Sequence, residues 1–535
     1  MGTKISAKHL LLLILLAALA LRLNDVGRDL NGEEQVWYNA SLSLFKGNLG
    51  GALTVHPPLG LYSFTLEWML GINNLRMVPM LAGILTIFVA YLISREFLDE
   101  KTSLVAALLL ALSNYHILQS QLLDVDGGIL TLFALCSYYF LVKYYSTEKQ
   151  SKLLLAASTF FMLLAFLSKI SALIFLFPAA VFIFATERNW RDRAIAFAPF
   201  ILALLLFFPC WIFLDKLTGI NSLGNSFSHA SEFVQSVSLQ ERVLYKALDA
   251  ARIAARLTAF LPLLALAVLL KNLSPKKIYE KPVLALMFAW LLVAFGLFAI
   301  TVTGEQLRYF AIALPPLMII CASATEGVDL KQAVKRNKEA LIFFGVPLFG
   351  LFIAALLDFN EAALHLLAIL IPIQLALALI SLKFLEFKTA AASILLGYLI
   401  FSAFMLIGAR SYDEMRSEAI AGMAKSAQEL NHTKIVVLRE SIELYTPKSI
   451  QVIPVRSKFY GGGINLTEAT KESPYVYHEP LLSDSTPPWL SSKFWVATVY
   501  WQLESECVKL KEQKSHGTVI YAVYDCSKLK NNGSN

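Results

Sequence analysis

Residues 75–126 read LRMVPMLAGILTIFVAYLISREFLDEKTSLVAALLLALSNYHILQSQLLDVD. Two apolar runs, Leu75 to Phe97 and 103–119, each approach the roughly 20 residues that cross a bilayer as a helix. Arg95 and Lys101 mark the connector between them, whereas the next connector, 120–126, carries Asp124 and Asp126 and no Lys or Arg. Cytoplasmic connectors are enriched in Lys and Arg, so this alternation predicts both the class and the direction of the chain. It reads as a polytopic membrane protein whose acidic connector faces outside.

The same reading extends along the 535 residues, of which 57% are hydrophobic and 16% charged, with a mean hydropathy of +0.60. A soluble domain carries roughly a quarter charged residues. Lys4 and Lys8 precede the apolar run Leu10 to Leu21 and orient it with its N-terminus in the cytoplasm; Ala18-Leu19-Ala20 also has the form of a signal-peptidase site, and an uncleaved first helix is preferred. Leu59 to Ile72 is too short and aromatic for a span and predicts an interfacial or re-entrant helix. Further spans read as 127–145, 152–168, 170–185, 194–213, 253–270, 283–302, 307–324, 340–357, 363–381 and 390–408, about 13 with the three already given. Every inside connector in this count is basic, and the outside ones at 303–306 and 358–362 hold Glu305, Asp358 and Glu361 without Lys or Arg. The net charge of +7 therefore belongs to cytoplasmic loops, and a nucleic-acid partner is rejected.

Two outside segments are longer than connectors usually are. One is the first outside loop, 24–74, whose stretch Asp25 to Leu59 holds Asp25, Arg28, Asp29, Glu33, Glu34, Lys46 and His56. The other, 214–252, is polar and leads into an amphipathic helix over Leu239 to Arg256. From 411 to 535 the composition becomes that of a soluble unit, with a helix around Tyr412–Leu430 and strands at Lys434–Leu438, Ile450–Val455, Phe494–Tyr500 and Val519–Tyr524. The expectation is a transmembrane domain over 1–410 and a small extracytoplasmic α/β domain over 411–535. Cys136, Cys210 and Cys321 lie in apolar segments as small hydrophobes, while Cys507 and Cys526 flank a candidate hairpin and can pair if the tail lies outside the cytoplasm. Sequons at Asn39, Asn431, Asn465 and Asn532 are compatible with exposure on that side.

Ionisable residues at a membrane boundary are the functional candidates of such a chain. Glu33 and Glu34, with Trp37 and Tyr38 close behind, are either a solvated face or acid–base machinery. Asp124 and Asp126 form a second acidic cluster on the same side, where Asp126 before Gly127 also suits a helix N-cap. Lys169 either snorkels to the outer interface or holds a lipid phosphate, and Arg308-Tyr309 before Pro315-Pro316 repeats that pattern. His56 before Pro57-Pro58 either binds a ligand or shapes a turn. Clustered carboxylates can also hold a divalent metal, but no spacing here specifies one, so no cofactor is assigned.

On these residues, 1–410 resembles the C-type (GT-C) polytopic membrane glycosyltransferases, most closely the branch of dolichyl-phosphate-mannose–protein mannosyltransferases and lipid A aminoarabinose transferases. The matching features are the acidic pair Glu33-Glu34 with Trp37/Tyr38 and Ala40, Pro57-Pro58-Leu59 before an interfacial helix, and Asp126 opening the fourth span. Leu167-Ser168-Lys169-Ile170 and Arg308-Tyr309 with Pro315 complete the set. Glu33 stands where Asp is usual, Gln119 or Gln121 where Arg often precedes the span-four Asp, and Ile170 where Gly is usual. The Trp-Trp-Asp motif of the oligosaccharyltransferase catalytic subunit is absent.

The resemblance implies transfer of one sugar from a polyprenyl (dolichyl or undecaprenyl) phosphate donor to a protein, glycan or lipid acceptor on the outer face, with inversion. It implies Glu33 as base, assisted by Glu34 and Asp126, with Lys169 and Arg308 on the donor phosphate. His56, Tyr309, Trp37 and Asp124 then line the substrate. Its partners are that donor, the acceptor and membrane lipids. The rival classes are a transporter or flippase, which would place its ionisable residues nearer the bilayer midplane, and an inactive family scaffold.

Overall fold

The computed structural model describes residues 6–23, 32–48, 56–72, 75–147, 151–187, 189–226, 261–272, 280–301, 307–327, 387–437, 449–454, 466–478, 503, 505–515 and 518–527. The spans expected at 340–357 and 363–381, the amphipathic helix over 239–256 and the strand at 494–500 lie outside these residues.

Helix α1 covers Ala7–Leu23, α2 Gly32–Phe45, α3 Pro58–Met69 and α4 Met77–Arg95. The stretch expected to lie outside is thus partly helical: α2 occupies a segment expected as loop, and α3 is the short helix expected before the second span. Pro58 opens α3, where a missing N–H costs nothing and the ring presets φ.

Helices α5 (Glu100–Ala111) and α6 (Asn114–Ser120) replace the straight span expected at 103–119, bending by 61° at Leu112-Ser113. Asp99 caps α5 by accepting from Thr102 N at 2.8 Å, and Ser113 caps α6 by accepting from His116 N at 3.3 Å. That second cap lies mid-span, so the sequence itself supplies the break. A five-residue π-helical turn, Asp126–Leu130, then leads into α7 (Thr131–Ser146).

Helix α8 (Lys152–Ser168) ends at the extended Lys169, followed by a 3₁₀ turn, Ile170–Phe175, and α9 (Leu176–Thr186). Helix α10 (Trp190–Thr218) carries Pro199 and Pro209 and stops at Gly219, whose φ of 68° gives a left-handed end. Then come α11 (Leu261–Asn272), α12 (Pro282–Thr301), a 3₁₀ turn over Leu307–Ala313 and α13 (Leu314–Ser323). Among the described residues, Met77–Arg95, Asp126–Ser146 and Trp190–Thr218 are long and apolar enough to cross a membrane, and the bent α5–α6 pair makes a fourth if taken as one span. One continuous apolar core runs through α1 to α13 and the start of the next helix.

That next helix, α14, is unbroken from Phe387 to Glu429, so the expected boundary at 410/411 falls inside a helix. A five-stranded sheet follows, in the order β2-β1-β3-β5-β4. Its strands are β1 (Lys434–Val437), β2 (Gln451–Pro454), β3 (Tyr475–His478), β4 (Val508–Ser515) and β5 (Thr518–Asp525), with α15 (Leu466–Glu472) before β3. Strands β2, β1 and β3 are parallel, while β5 and β4 are antiparallel. Period-two alternation sends Ile435, Val437, Tyr477, Tyr521 and Val523 against Ala419, Ile420, Met423 and Ala427 of α14. Val436, Val476, Ala522 and Tyr524 face Ala469 and Leu503 on the other side. Cys507 and Cys526 are joined in a disulfide across the β4–β5 hairpin, with Cα atoms 4.5 Å apart.

Candidate active site

The segment 121–130 is the centre of the site, and its shape follows from two glycines. A Cβ at Gly127 would stand 2.7 Å from the Gln119 carbonyl oxygen, and one at Gly128 would stand 2.6 Å from that of Pro79. Real side chains do not come so close to backbone, so Gly127-Gly128 lets the π-helical turn lie directly on α4 and the end of α6. Thr131 donates to the Asp126 carbonyl at 2.7 Å and closes the turn.

Asp126 is fully buried, and its Oδ2 receives the Lys169 ammonium at 2.5 Å. Val125, not Asp126, is the N-cap of the π-helical turn, and the Asp126 carboxylate meets a cation. Lys169 is equally enclosed, with a side chain 5% exposed, and does not snorkel. Its place between α8 and the 3₁₀ turn is extended, at φ −161°, which turns the side chain out of the helical ladder towards the bundle. A buried ion pair of this kind persists because each partner would be costly alone.

Three residues upstream a second ion pair holds the same segment. Glu34 is 2% exposed; Arg76 donates to it through Nε at 2.9 Å and Nη2 at 3.1 Å, the two-pronged geometry that suits guanidinium and carboxylate. Glu34 Oε1 also accepts from Leu123 N at 2.9 Å. Helix α2 is thereby tied to the 121–126 segment and to the cap of α4 at once. Glu33 is the preceding residue of α2.

Trp37, one turn further along α2, is buried and stacks on His56, with ring centroids 5.4 Å apart, and meets Phe64 edge-on. A Cβ at Gly60 would overlap Val125 and touch the Trp37 ring, so α2, α3 and the Asp124-Val125-Asp126 segment meet at one point. Asp124 is buried, and its Oδ1 accepts from Val125 N at 2.6 Å. Arg308 and Tyr309 belong to the 3₁₀ turn Leu307–Ala313, which packs against the π-helical turn. Phe310 of that turn lies against Tyr115 of α6.

The structure therefore joins Asp126 to Lys169, brings Glu34 within three residues of that pair, sets Trp37 against His56, and seats the backbone bearing Arg308 beside them. Three polar residues went unread in the sequence. Arg76 is a cation at the start of the apolar helix α4, the kind of signal that singles out Lys169 and Arg308. Arg22, the penultimate residue of α1, is fully buried and donates to Ser120 Oγ at 2.8 Å and to His116 Nδ1 at 2.7 Å, while its own carbonyl accepts from Gln121 Nε2 at 2.7 Å. Glu67 of α3, also buried, accepts from Val78 N at 2.7 Å and Met77 N at 3.2 Å. Among the described residues no three of His, Cys, Asp and Glu come together as metal ligands.

Residues 55–213 match the family model of dolichyl-phosphate-mannose-protein mannosyltransferase, a stretch that includes His56, Asp126 and Lys169. Across 97% of this chain and 99% of the other, the fold matches ArnT from Cupriavidus metallidurans in the apo state, with a TM-score of 0.60 and 16% identity. The fold is that of ArnT. ArnT from the same organism bound to undecaprenyl phosphate matches over 96% of this chain and 97% of its own, with a TM-score of 0.57 and 15% identity. The archaeal oligosaccharyltransferase AglB from Archaeoglobus fulgidus, in complex with an inhibitory peptide and a dolichol-phosphate, matches over 96% of this chain and 74% of its own, at 0.50 and 12%. No curated protein sequence matches the chain.

Proposed function

We propose that this chain is an inverting glycosyltransferase that moves one sugar from a polyprenyl monophosphate carrier to a protein, glycan or lipid acceptor on the outer face of the membrane. The observation that carries the reading is the enclosed Asp126–Lys169 pair, held against a segment that α2 fixes through Glu34. A transporter would set its charges nearer the midplane, whereas these lie where connectors meet spans.

In this reading Glu33 takes the proton from the acceptor's hydroxyl or amine, and the freed electron pair attacks the anomeric carbon from the face opposite the phosphate. The bond from that carbon to the phosphate oxygen breaks, and its electron pair leaves on the polyprenyl monophosphate. Lys169 and Arg308 receive the growing negative charge, and the enclosure of Lys169 makes its fixed charge count for more than it would in solution. Asp126 keeps Lys169 charged and aimed. Glu34, with both oxygens engaged by Arg76 and Leu123 N, acts as a positioning residue.

The test is transfer from a radiolabelled polyprenyl-phosphate sugar by full-length protein in membranes. E33Q, D126N and K169M are each expected to lower the rate by about 100-fold or more. Transfer at the wild-type rate in all three would sink the reading. Glycan and glycolipid profiles of a deletion strain would name the sugar and the acceptor.

A further inference from the structure

We infer that Glu67, on the interfacial helix α3, is a positioning residue that sets the 121–126 segment at a distance, through Arg76 and Glu34. The inference rests on the reading of that segment as part of the transfer site.

The path is continuous in bonded groups. Glu67 spreads its two oxygens over Met77 N and Val78 N, the first two N–H groups of α4, whose N-cap is Arg76. A carboxylate there satisfies two donors left open by the helix and meets the positive end of its dipole. Arg76 is thus fixed at its backbone by a residue of α3, while its guanidinium holds Glu34 of α2 by two bonds. Glu34 passes the constraint to Leu123 N, three residues before Asp126. The side chains of Glu67, Arg76 and Glu34 are all buried, while Met77 and Val78 at the α4 end are half-buried, so competing water has little access to the path.

Burial raises the Glu67 carboxyl to about 7, against the two backbone N–H groups that lower it. The charged groups on the elements packed against α3 are Glu33 and Glu34 on α2, Arg76 at the start of α4 and Arg95 at its far end, Lys152 at the start of α8, and Arg191, Asp192, Arg193, Asp215 and Lys216 on α10; of these, Glu34 and Arg76 neutralise each other. Protonation leaves one oxygen as a donor facing an N–H, so the clamp on α4 weakens as the pH falls through neutrality. An ordinary surface glutamate would titrate near 4.3 and leave this range untouched.

Hydrogen exchange on the full-length protein in lipid nanodiscs reads the coupling without any substrate. After correction for intrinsic pH dependence, wild-type amides of 76–78 and of 121–126 are expected to lose protection together between pH 8 and pH 6. In E67Q both stretches exchange about tenfold faster at pH 8, and the change with pH disappears. If E67Q alters 76–78 and leaves 121–126 at wild-type protection, Glu67 is a local helix cap and the inference is overturned. Should E67Q not fold, E67D serves, and unchanged protection and pH dependence of 121–126 in it would overturn the inference equally. Coupled exchange in E67Q alongside undiminished transfer by D126N would keep the linkage and discard the site.

Discussion

Arg76 and Glu34 illustrate what a single buried residue does here. Removing one partner of a buried pair costs ~3–5 kcal/mol, because the other stays charged without compensation. R76L is therefore expected to lower the thermal midpoint of the purified protein by more than the double variant R76L/E34L, and a double-mutant cycle of melting curves would check it. If the double variant were as unstable as the sum of the singles, the pair would be decorative. His432 gives a pH prediction in the sheet. Its ring stacks on Tyr475 with centroids 3.6 Å apart and its Nδ1 meets Tyr477 Oη at 2.8 Å. Burial holds its pKa below 6.5, more than the nearby Asp525 raises it. A histidine depressed on folding leaves stability intact above its unfolded pKa and removes it as the pH falls below that value. Pulse proteolysis of the C-terminal portion should accordingly show resistance at pH 7.5 that declines towards pH 5.5, and H432Q should flatten the decline.

At the scale of elements, the π-helical turn is the piece most sensitive to small changes. G128A places a methyl against the Pro79 carbonyl, which belongs to α4 and has nowhere to go, and overpacking of this kind costs ~1–3 kcal/mol. Both the melting temperature and the transfer rate should fall for G128A, whereas an alanine at Gly47, where nothing lies within 4 Å, meets only the strain of its left-handed φ. The turn also marks the limit of what sequence conveyed. Hydropathy gave the positions of α1, α4, α7, α8 and α10 because each is an apolar run of bilayer length. The break in α5–α6 escaped it, since Ser113-Asn114 sits within an otherwise apolar stretch and a cap signal is weak beside hydropathy. Helix α2 escaped because its face towards α3 and the 121–126 segment is built from Glu34, Trp37, Ala40 and Ser41, which do not alternate as a greasy stripe. Lys169 and Asp126 were legible as charges out of place, but their pairing was not, since 43 residues separate them. Strand β3 is only four residues long, and β4 is an edge strand whose lysines disguise it while guarding it from pairing with other chains.

For the whole molecule, the Cys507–Cys526 disulfide links chemistry to geography. Disulfides persist in oxidising compartments, so an intact one would put the tail on the side that the basic loops assign to it. Maleimide-polyethylene glycol added to unreduced, denatured full-length protein should leave these two cysteines unlabelled until a reductant is present; labelling beforehand would contradict the pairing. C507S is expected to loosen the β4–β5 hairpin by ~2–4 kcal/mol in denaturant titrations of the sheet. Helix α14 has a consequence of another kind. Its 43 residues make a rod of ~65 Å, about twice the hydrocarbon thickness of a bilayer. A continuous rod transmits angle as well as distance, since each added residue turns whatever it carries by about 100°. Three alanines inserted near its middle would swing the sheet through roughly 300° while lifting it only ~4.5 Å, whereas seven would return it almost to its starting bearing, ~10 Å higher. The sheet's compass heading over the bundle is thus written in the residue count of one helix.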